Sequence, residues 1–522
     1  MPPVLSTIDL VIVAVYAVGL FALAQWVSRE PAGQQKNAQD YFLAGKALPW
    51  WAIGASLIAA NISAEQIIGM SGSGYAIGLA IASYEWMAAF TLLLVGKFLL
   101  PIFLKTGIYT MPQFLEQRYD SRVKTVMAVF WLGVYTFVNL TSIMWLGALA
   151  INTVAGVDLS LGLASLGIFA VAYSLYGGLR AVALTDVIQV ILLVMGGLMI
   201  SWILLDQIGA GAGPMAGFTA LTQQAPDKFH MILNEGHPHY MSLPGLSVLL
   251  GGMWVMNISY WGFNQYIIQR ALAAKSIDEA QKGIAFAAFL KLLMPVIVVL
   301  PGIAMFVLNP ELSAPDKAYP SAMNLLPLGI KGLVFAALLA AIVSSLASMC
   351  NSISTIFTVD VAPSLGIGSD GGQRSVTLGR IVAIVAMIIA MLTARPLLGN
   401  FEQAFQYIQE FTGFFTPGIV AIFMLGLFWS RTTATAALIS AITSAVLSLL
   451  LKLYWPDLPF MDRVGLVFLL CVAVGVVWSI LRPRAQAGFV DPAGVSFSAT
   501  QGFNVSAVVV TLILIFFYTV WW

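Results

Sequence analysis

Residues 60–86 read Ala-Asn-Ile-Ser-Ala-Glu-Gln-Ile-Ile-Gly-Met-Ser-Gly-Ser-Gly, then an apolar turn, then Ser-Tyr-Glu-Trp. The stretch is long and apolar enough to enter a membrane, yet it carries Asn61, Ser63, Glu65, Gln66 and Glu85. Glycines at 69, 72 and 74 weaken any continuous helix through it. It reads as a broken transmembrane helix. Unpaired backbone groups at membrane depth are tolerated only where they are buried in protein or line a wet cavity, so the polar cluster beside the break marks a binding site. The competing reading is a tightly packed glycine-rich helix whose few polar groups are satisfied.

Composition sets the surroundings of that stretch. With 60% hydrophobic and only 9% charged residues, the 522-residue chain departs far from a soluble protein and reads as a polytopic membrane protein. A net charge of +1 and the lack of any lysine-rich or arginine-rich run argue against a nucleic-acid partner. Cys350 and Cys471 fall inside apolar segments and support neither a disulfide framework nor a metal cluster. The three histidines all lie between His230 and His239 in a polar loop, which excludes a histidine-based metal site within the membrane.

Apolar runs of about 18 or more residues, divided at charges, glycines and prolines, give roughly fourteen spans. The first seven cover 7–28, 50–78, 82–104, 123–153, 160–178, 182–206 and 244–268, and the second seven 281–308, 329–361, 376–398, 403–428, 432–453, 464–482 and 503–521. Residues 7–28 read as a retained span rather than a cleaved leader. If the N-terminus lies outside, about 16 basic residues fall in cytoplasmic segments against about 6 outside. That asymmetry places both termini outward. No extramembrane segment reaches domain size, the 207–243 loop included, so function sits within a single transmembrane domain. Broken transporter helices recur at matching places in inverted halves, and Asn257-Ile258-Ser259, after Gly251-Gly252, repeats the Asn61-Ile62-Ser63 triplet about a dozen residues into its own span.

Glu85 and Lys291 are the side chains most costly to place, at about 3 kcal/mol each near the bilayer centre, so each requires a partner, a cavity or a ligand. A structural ion pair or a snorkelling lysine accounts for them as well as function does. Asn61, Gln66, Glu85, Asn257, Lys291 and Gln409 together supply amides, a carboxylate and an ammonium, the mixture that donating and accepting sugar hydroxyls need. Tyr84, Tyr260, Trp261 and Phe405 could cover a sugar's C–H faces, although taken singly each is more often plain packing or an interface anchor. On the run Phe335–Ser348, Ala341, Ser344 and Ser345 share one helical face and offer oxygens to a hard cation such as sodium. Carbonyls freed by the break near Ala59 and Ile62 could complete that shell, while small-residue helix packing suits the same composition. Asp186 could couple an ion or cap a helix opening near residue 184. No phosphate loop, nucleophile elbow or paired-acid arrangement provides for ATP-driven transport or enzyme chemistry.

The stretches Asp40-Tyr-Phe-Leu-Ala-Gly, Ala60-Asn-Ile-Ser-Ala-Glu-Gln, Ser83-Tyr-Glu-Trp, Tyr176-Gly-Gly-Leu, Trp261-Gly-Phe-Asn-Gln-Tyr and Ser344-Ser-Leu-Ala-Ser resemble the sodium/solute symporter family. The likeness runs from about residue 7 onward and falls on the branch of bacterial sodium/galactose symporters and animal sodium/glucose cotransporters. It implies an all-α membrane protein of about fourteen helices: an extra N-terminal helix at 7–28, a first five-helix repeat at 50–206, an inverted second repeat at 244–428, and C-terminal helices at 432–521. Asn61, Gln66, Glu85, Asn257, Lys291 and Gln409 fall at that family's sugar-contacting positions. Tyr260 falls at its inner closing aromatic, and Met70, Tyr84 and Phe405 at its outer hydrophobic gate. Ala59, Ile62, Ala341, Ser344 and Ser345 fall at its sodium site. Two positions depart from the pattern: Ala88 stands where a serine lies near the sugar, and Ser259 where a tyrosine stands.

The sequence thus leads to the expectation of a multi-pass cell-membrane symporter, not an enzyme, that couples inward sodium flow to uptake of a hexose, galactose or glucose. Its partners are sodium, a small sugar and the lipid bilayer, with no oligomer required. A same-fold symporter for myo-inositol or another solute, and a sugar-gated sensor or channel, are the alternatives.

Overall fold

The structure, a computed structural model, describes residues 5–27, 47–108, 110–367, 373–399, 403–484, 488–489 and 494–522, apart from the side chains of 24, 25, 27, 174–185 and 373. The Asp40-Tyr-Phe motif, the Tyr176-Gly-Gly-Leu side chains, and Arg29, Lys36, Lys46 and Arg180 of the basic-residue count lie outside that set.

In hydrocarbon each backbone N–H and C=O must find its partner within the segment, and a helix does this where an open strand cannot. The described residues are accordingly helical, with one isolated parallel bridge, Leu48 to Ala274, and no strand. The membrane helices are α1 (Thr7–Val27), α2 (Trp50–Asn61), α3 (Met70–Ala76), α4 (Ser83–Leu94), α5 (Ser121–Val134), α6 (Thr141–Ala155) and α7 (Leu159–Ile208). The second half contains α8 (Gly252–Ile258), α9 (Gln265–Leu272), α10 (Ile277–Ile297), α11 (Val299–Leu308), α12 (Ile330–Ile356), α13 (Gln373–Leu398), α14 (Ala404–Thr412) and α15 (Thr416–Phe428). Three more follow: α16 (Ala434–Tyr454), α17 (Phe460–Leu481) and α18 (Gln501–Val520). Among the described residues nine helical stretches are long and apolar enough to cross a membrane, or up to eleven if each bent pair is one span. The other expected spans correspond to the shorter apolar helices Thr7–Leu23 and Leu159–Tyr173 and to the interrupted segment formed by α8 and α9.

The expected break in the first long span is present, and α2 meets the following helix at 60°. Its cause differs from the sequence reading. The chain leaves the helix at Ile62, where ψ turns to 69°, and Ser63 N–H donates back to the Asn61 carbonyl at 2.7 Å. A π turn over Glu65–Gly69 then leads into α3. The glycines lie beyond the break and serve close approach instead: a Cβ at Gly74 would stand 2.7 Å from the Val299 carbonyl of α11.

In the second half the break does not follow the repeated triplet. Asn257 stays inside α8, a π turn covers Ser259–Phe263, and only Asn264 is extended, at φ −83°, ψ 119°. The Tyr135 hydroxyl donates to Asn264 Oδ1 at 2.5 Å and accepts from Gln265 N–H at 3.0 Å, which satisfies the groups freed there. The expected single span at 403–428 is also bent, by 45° between α14 and α15. Conversely, α7 is helical without a break from 159 to 208, where two spans, 160–178 and 182–206, were expected. At 1.5 Å per residue it has the length of both. Asp186 therefore sits inside a helix and does not cap one.

Candidate functional site

The three interruptions converge. One cavity, with about 760 Å³ of empty space, is lined from the first break by Asn61, Glu65 and Gln66 and from α4 by Tyr84, Glu85 and Ala88. The second break contributes Asn257, Ser259, Tyr260 and Asn264, α10 contributes Lys291, and the α14–α15 bend contributes Phe405, Ile408 and Gln409. All six polar residues proposed from sequence line this space.

Four of the six, Asn61, Gln66, Glu85 and Lys291, form one connected network with Tyr260 and Tyr266. Lys291 Nζ pairs with Glu85 Oε2 at 2.6 Å and donates to Asn61 Oδ1, while Gln66 Nε2 donates to the other Glu85 oxygen. Asn61 Nδ2 donates to the Tyr260 hydroxyl at 3.1 Å, and that hydroxyl lies 2.5 Å from the Tyr266 hydroxyl. Asn257 Nδ2 returns to the Met253 carbonyl of its own helix at 3.1 Å. The Lys291 ammonium also stands 5.0 Å from the centroid of Trp261. Lysine and carboxylate are thus both an ion pair and part of the cavity wall, so the two readings of Lys291 are not exclusive.

Aromatic rings bound the space on two sides. Tyr84 and Phe405 meet edge to face at 5.1 Å, and Tyr260 and Trp261 do so at 5.1 Å. Met70 does not line the cavity; it is fully buried one helical turn from Gln66, whose Nε2 approaches its sulfur at 3.9 Å. Ala88 and Ser259, the two departures from the family pattern, both line the wall.

The five residues proposed for sodium fall on facing elements. Ser63 and Gln66 N–H, the helical partners of the Ala59 and Ile62 carbonyls, donate instead to Asn61 and Ser63. Across from them on α12, Ser345 Oγ lies 3.4 Å from the Ala60 carbonyl, and Ala341 and Ser344 are buried beside it. A set of neutral carbonyl and hydroxyl oxygens suits a hard monovalent cation. Ser344 donates to Asp186, which also accepts from Ser56 at 2.7 Å and faces Arg270 at 3.8 Å. Arg270 in turn donates to Ser348 at 2.7 Å.

Sequence reading missed part of this. Arg270, which falls between the expected spans 244–268 and 281–308, is 1% exposed and ties α9 to α2, α7 and α12. Glu65, given no role, lines the cavity and accepts from Ser142. Asn139 and Asn264 also reach the cavity. The signal for Glu65 was present, since it is an acid in the same polar cluster as Gln66; nothing local distinguished the two asparagines.

A polar cavity at the crossing of interrupted membrane helices, with carbonyls freed beside it, defines a solute carrier of the alternating-access kind. The sodium:solute symporter family model matches residues 41–444. A sodium/glucose cotransporter from Vibrio parahaemolyticus is 52% identical, with 99% of each chain covered. The human sodium/myo-inositol cotransporter 2 is 31% identical, covering 84% of this chain and 69% of that one. Among solved structures, a Na+-coupled sialic acid symporter in a substrate-bound outward-open state superimposes with a TM-score of 0.80 at 25% identity, over 92% of this chain and 99% of that one. The chain belongs to the sodium:solute symporter family.

Proposed function

We propose that this symporter imports a hexose, galactose or glucose, together with sodium. The observation that carries the reading is the cavity wall, where a carboxylate, an ammonium and several carboxamides face one space between two aromatic pairs. Such a wall offers donors and acceptors to hydroxyl groups and ring faces to C–H surfaces. The 52% identity to a sodium/glucose cotransporter supports the same substrate class.

In this reading Asn61, Gln66, Glu85, Asn257, Lys291 and Gln409 hydrogen-bond the sugar. Met70, Tyr84 and Phe405 close it from outside and Tyr260 from inside. The carbonyls of Ala59, Ile62 and Ala341 and the hydroxyls of Ser344 and Ser345 hold sodium. Both termini face outward, and segments 50–206 and 244–428 form the two inverted repeats. Sodium draws α2 and α12 together and favours the outward-facing state, and the sugar then permits closure.

Myo-inositol is the second reading, because a relative of that name matches and because Ala88 removes a hydroxyl from the wall. One such contact is worth about 0.5–1.5 kcal/mol, enough to change preference without abolishing binding. Uptake of labelled galactose into proteoliposomes, with and without an inward sodium gradient, tests both. Sodium-driven accumulation blocked by glucose is expected. Accumulation blocked by inositol alone moves the substrate to the polyol, and current without accumulation indicates a channel.

A further inference from the structure

Asp316 lies in the loop between α11 and α12, outside every membrane helix, yet it is 3% exposed. One carboxylate oxygen, Oδ2, accepts the backbone N–H of Ala404 at 3.0 Å, the first residue of α14. The other, Oδ1, is buried without a hydrogen-bond partner. Gly72 of α3 presses on the same side chain: a Cβ there would lie 2.4 Å from Oδ1 and 2.9 Å from the Asp316 Cα. The acid is therefore wedged between two interrupted helices, beside the residue that precedes Phe405.

The contacts around it divide into two bodies. The loop is fixed to α3, since the Tyr75 hydroxyl donates to the Asn309 carbonyl at 3.1 Å and accepts from Leu312 N–H at 3.4 Å. Between this body and α14, the described hydrogen bonds are Asp316 to Ala404 and Ser73 Oγ to Gln403 Oε1 at 3.4 Å. Phe405, the next residue, packs on Gly69 and against Tyr84 and so covers the cavity at this seam. Parting α14 from α3 requires both of these bonds to break.

We propose that Asp316 is the latch of the outer gate, a positioning residue that holds the start of α14, and Phe405 with it, against the outer half of the broken span. This rests on the reading of the cavity as a solute site entered from the side of the 309–329 loop. Oδ2 is the acceptor for the first N–H of α14, and losing one such buried hydrogen bond shifts the gate by about tenfold toward open.

The test uses the full-length protein in right-side-out vesicles with an Ile408→Cys reporter on the cavity wall, labelled by a membrane-impermeant maleimide in the absence of sugar. The native Cys350 and Cys471 are buried and give little background. Asp316→Ala is expected to label about tenfold faster. Asp316→Asn, which keeps an acceptor for Ala404 N–H, should label at close to the rate of the unsubstituted residue. Gly72→Ala, which displaces the carboxylate, should also speed labelling, and it carries the test if Asp316→Ala does not fold. Unchanged labelling in the folded Asp316→Ala variant, or in Gly72→Ala, overturns the latch. Labelling reports access whatever the solute, so failed galactose uptake by the unsubstituted protein would count against the sugar reading alone.

Discussion

The Glu85–Lys291 pair is the most demanding residue-scale feature, because two charges are withdrawn from water at 2.6 Å. Removing one partner of such a pair leaves an uncompensated charge and costs about 3–5 kcal/mol, whereas replacing both is far milder. In detergent, Glu85→Gln and Lys291→Met should each melt well below the parent, and the double variant above either single. Galactose affinity should fall in all three. A double variant no more stable than the singles would show that the two side chains act separately. The sequence made this pair legible in type but not in pairing: a lone acid and a lone lysine in apolar runs demand partners, but 206 residues separate them. Asp316 was not legible at all, since a loop acid is ordinarily solvated. Its burial pushes its carboxyl up to about 7, opposed by the Ala404 N–H. The titratable groups on the elements packed around it are engaged elsewhere or uncharged: Glu65 with Ser142, Glu410 with Lys452 and Arg463, Lys317 with Ser313, and the tyrosines Tyr75, Tyr319 and Tyr407. The closed gate thus favours the protonated acid, and opening wets it and releases the proton. Closure is strongest below the ordinary carboxylate range and weakens as pH rises through about 7. The reporter labelling rate, taken as a ratio to that of Asp316→Asn to cancel thiol ionisation, should rise across that interval; a flat ratio would show that the proton does not follow the gate.

At the scale of elements, apolar length located most helices, and it failed where geometry is set by local hydrogen bonding. Glycine counting placed the right break for the wrong reason, since Ile62 and Ser63 turn the chain and Gly72 and Gly74 pack. The bend between α14 and α15 carried no signal beyond Gly413 and Pro417, which many straight spans contain. One tie between elements is testable without touching the cavity. Asp9 of α1 is buried and accepts Gly329 and Gly332 N–H, both at 2.9 Å, at the N-terminus of α12. The acid serves as a cap supplied by another helix, where the dipole favours negative charge. Asp9→Ala leaves two donors unmatched at a cost of about 1–3 kcal/mol. Thermal denaturation should show that loss, while folded protein should keep its sodium and sugar affinities. Lost affinity with an unchanged melting temperature would assign Asp9 to transport rather than to docking.

Across the whole molecule, the cavity and the freed carbonyls share one element. Asn61 ends α2 and bonds Lys291, while the carbonyl of its neighbour Ala60 accepts from Ser345 Oγ at 3.4 Å. A change in the bend of this span therefore alters both places at once, which is the physical requirement for coupling two ligands through one two-state element. Linkage makes the consequence quantitative: sodium must tighten sugar binding by the factor with which sugar tightens sodium binding, about 5–150-fold for typical couplings. Equilibrium binding of labelled galactose at zero and saturating sodium gives the factor one way, and sodium titration with and without galactose gives it the other. Ser345→Ala, which removes one oxygen from the facing helix, should raise the sodium concentration needed for half-maximal galactose binding and leave galactose affinity at saturating sodium little changed. If galactose bound equally well without sodium, the broken span would not be the coupling element, and the cavity and the carbonyls beside it would be independent sites that happen to share a helix.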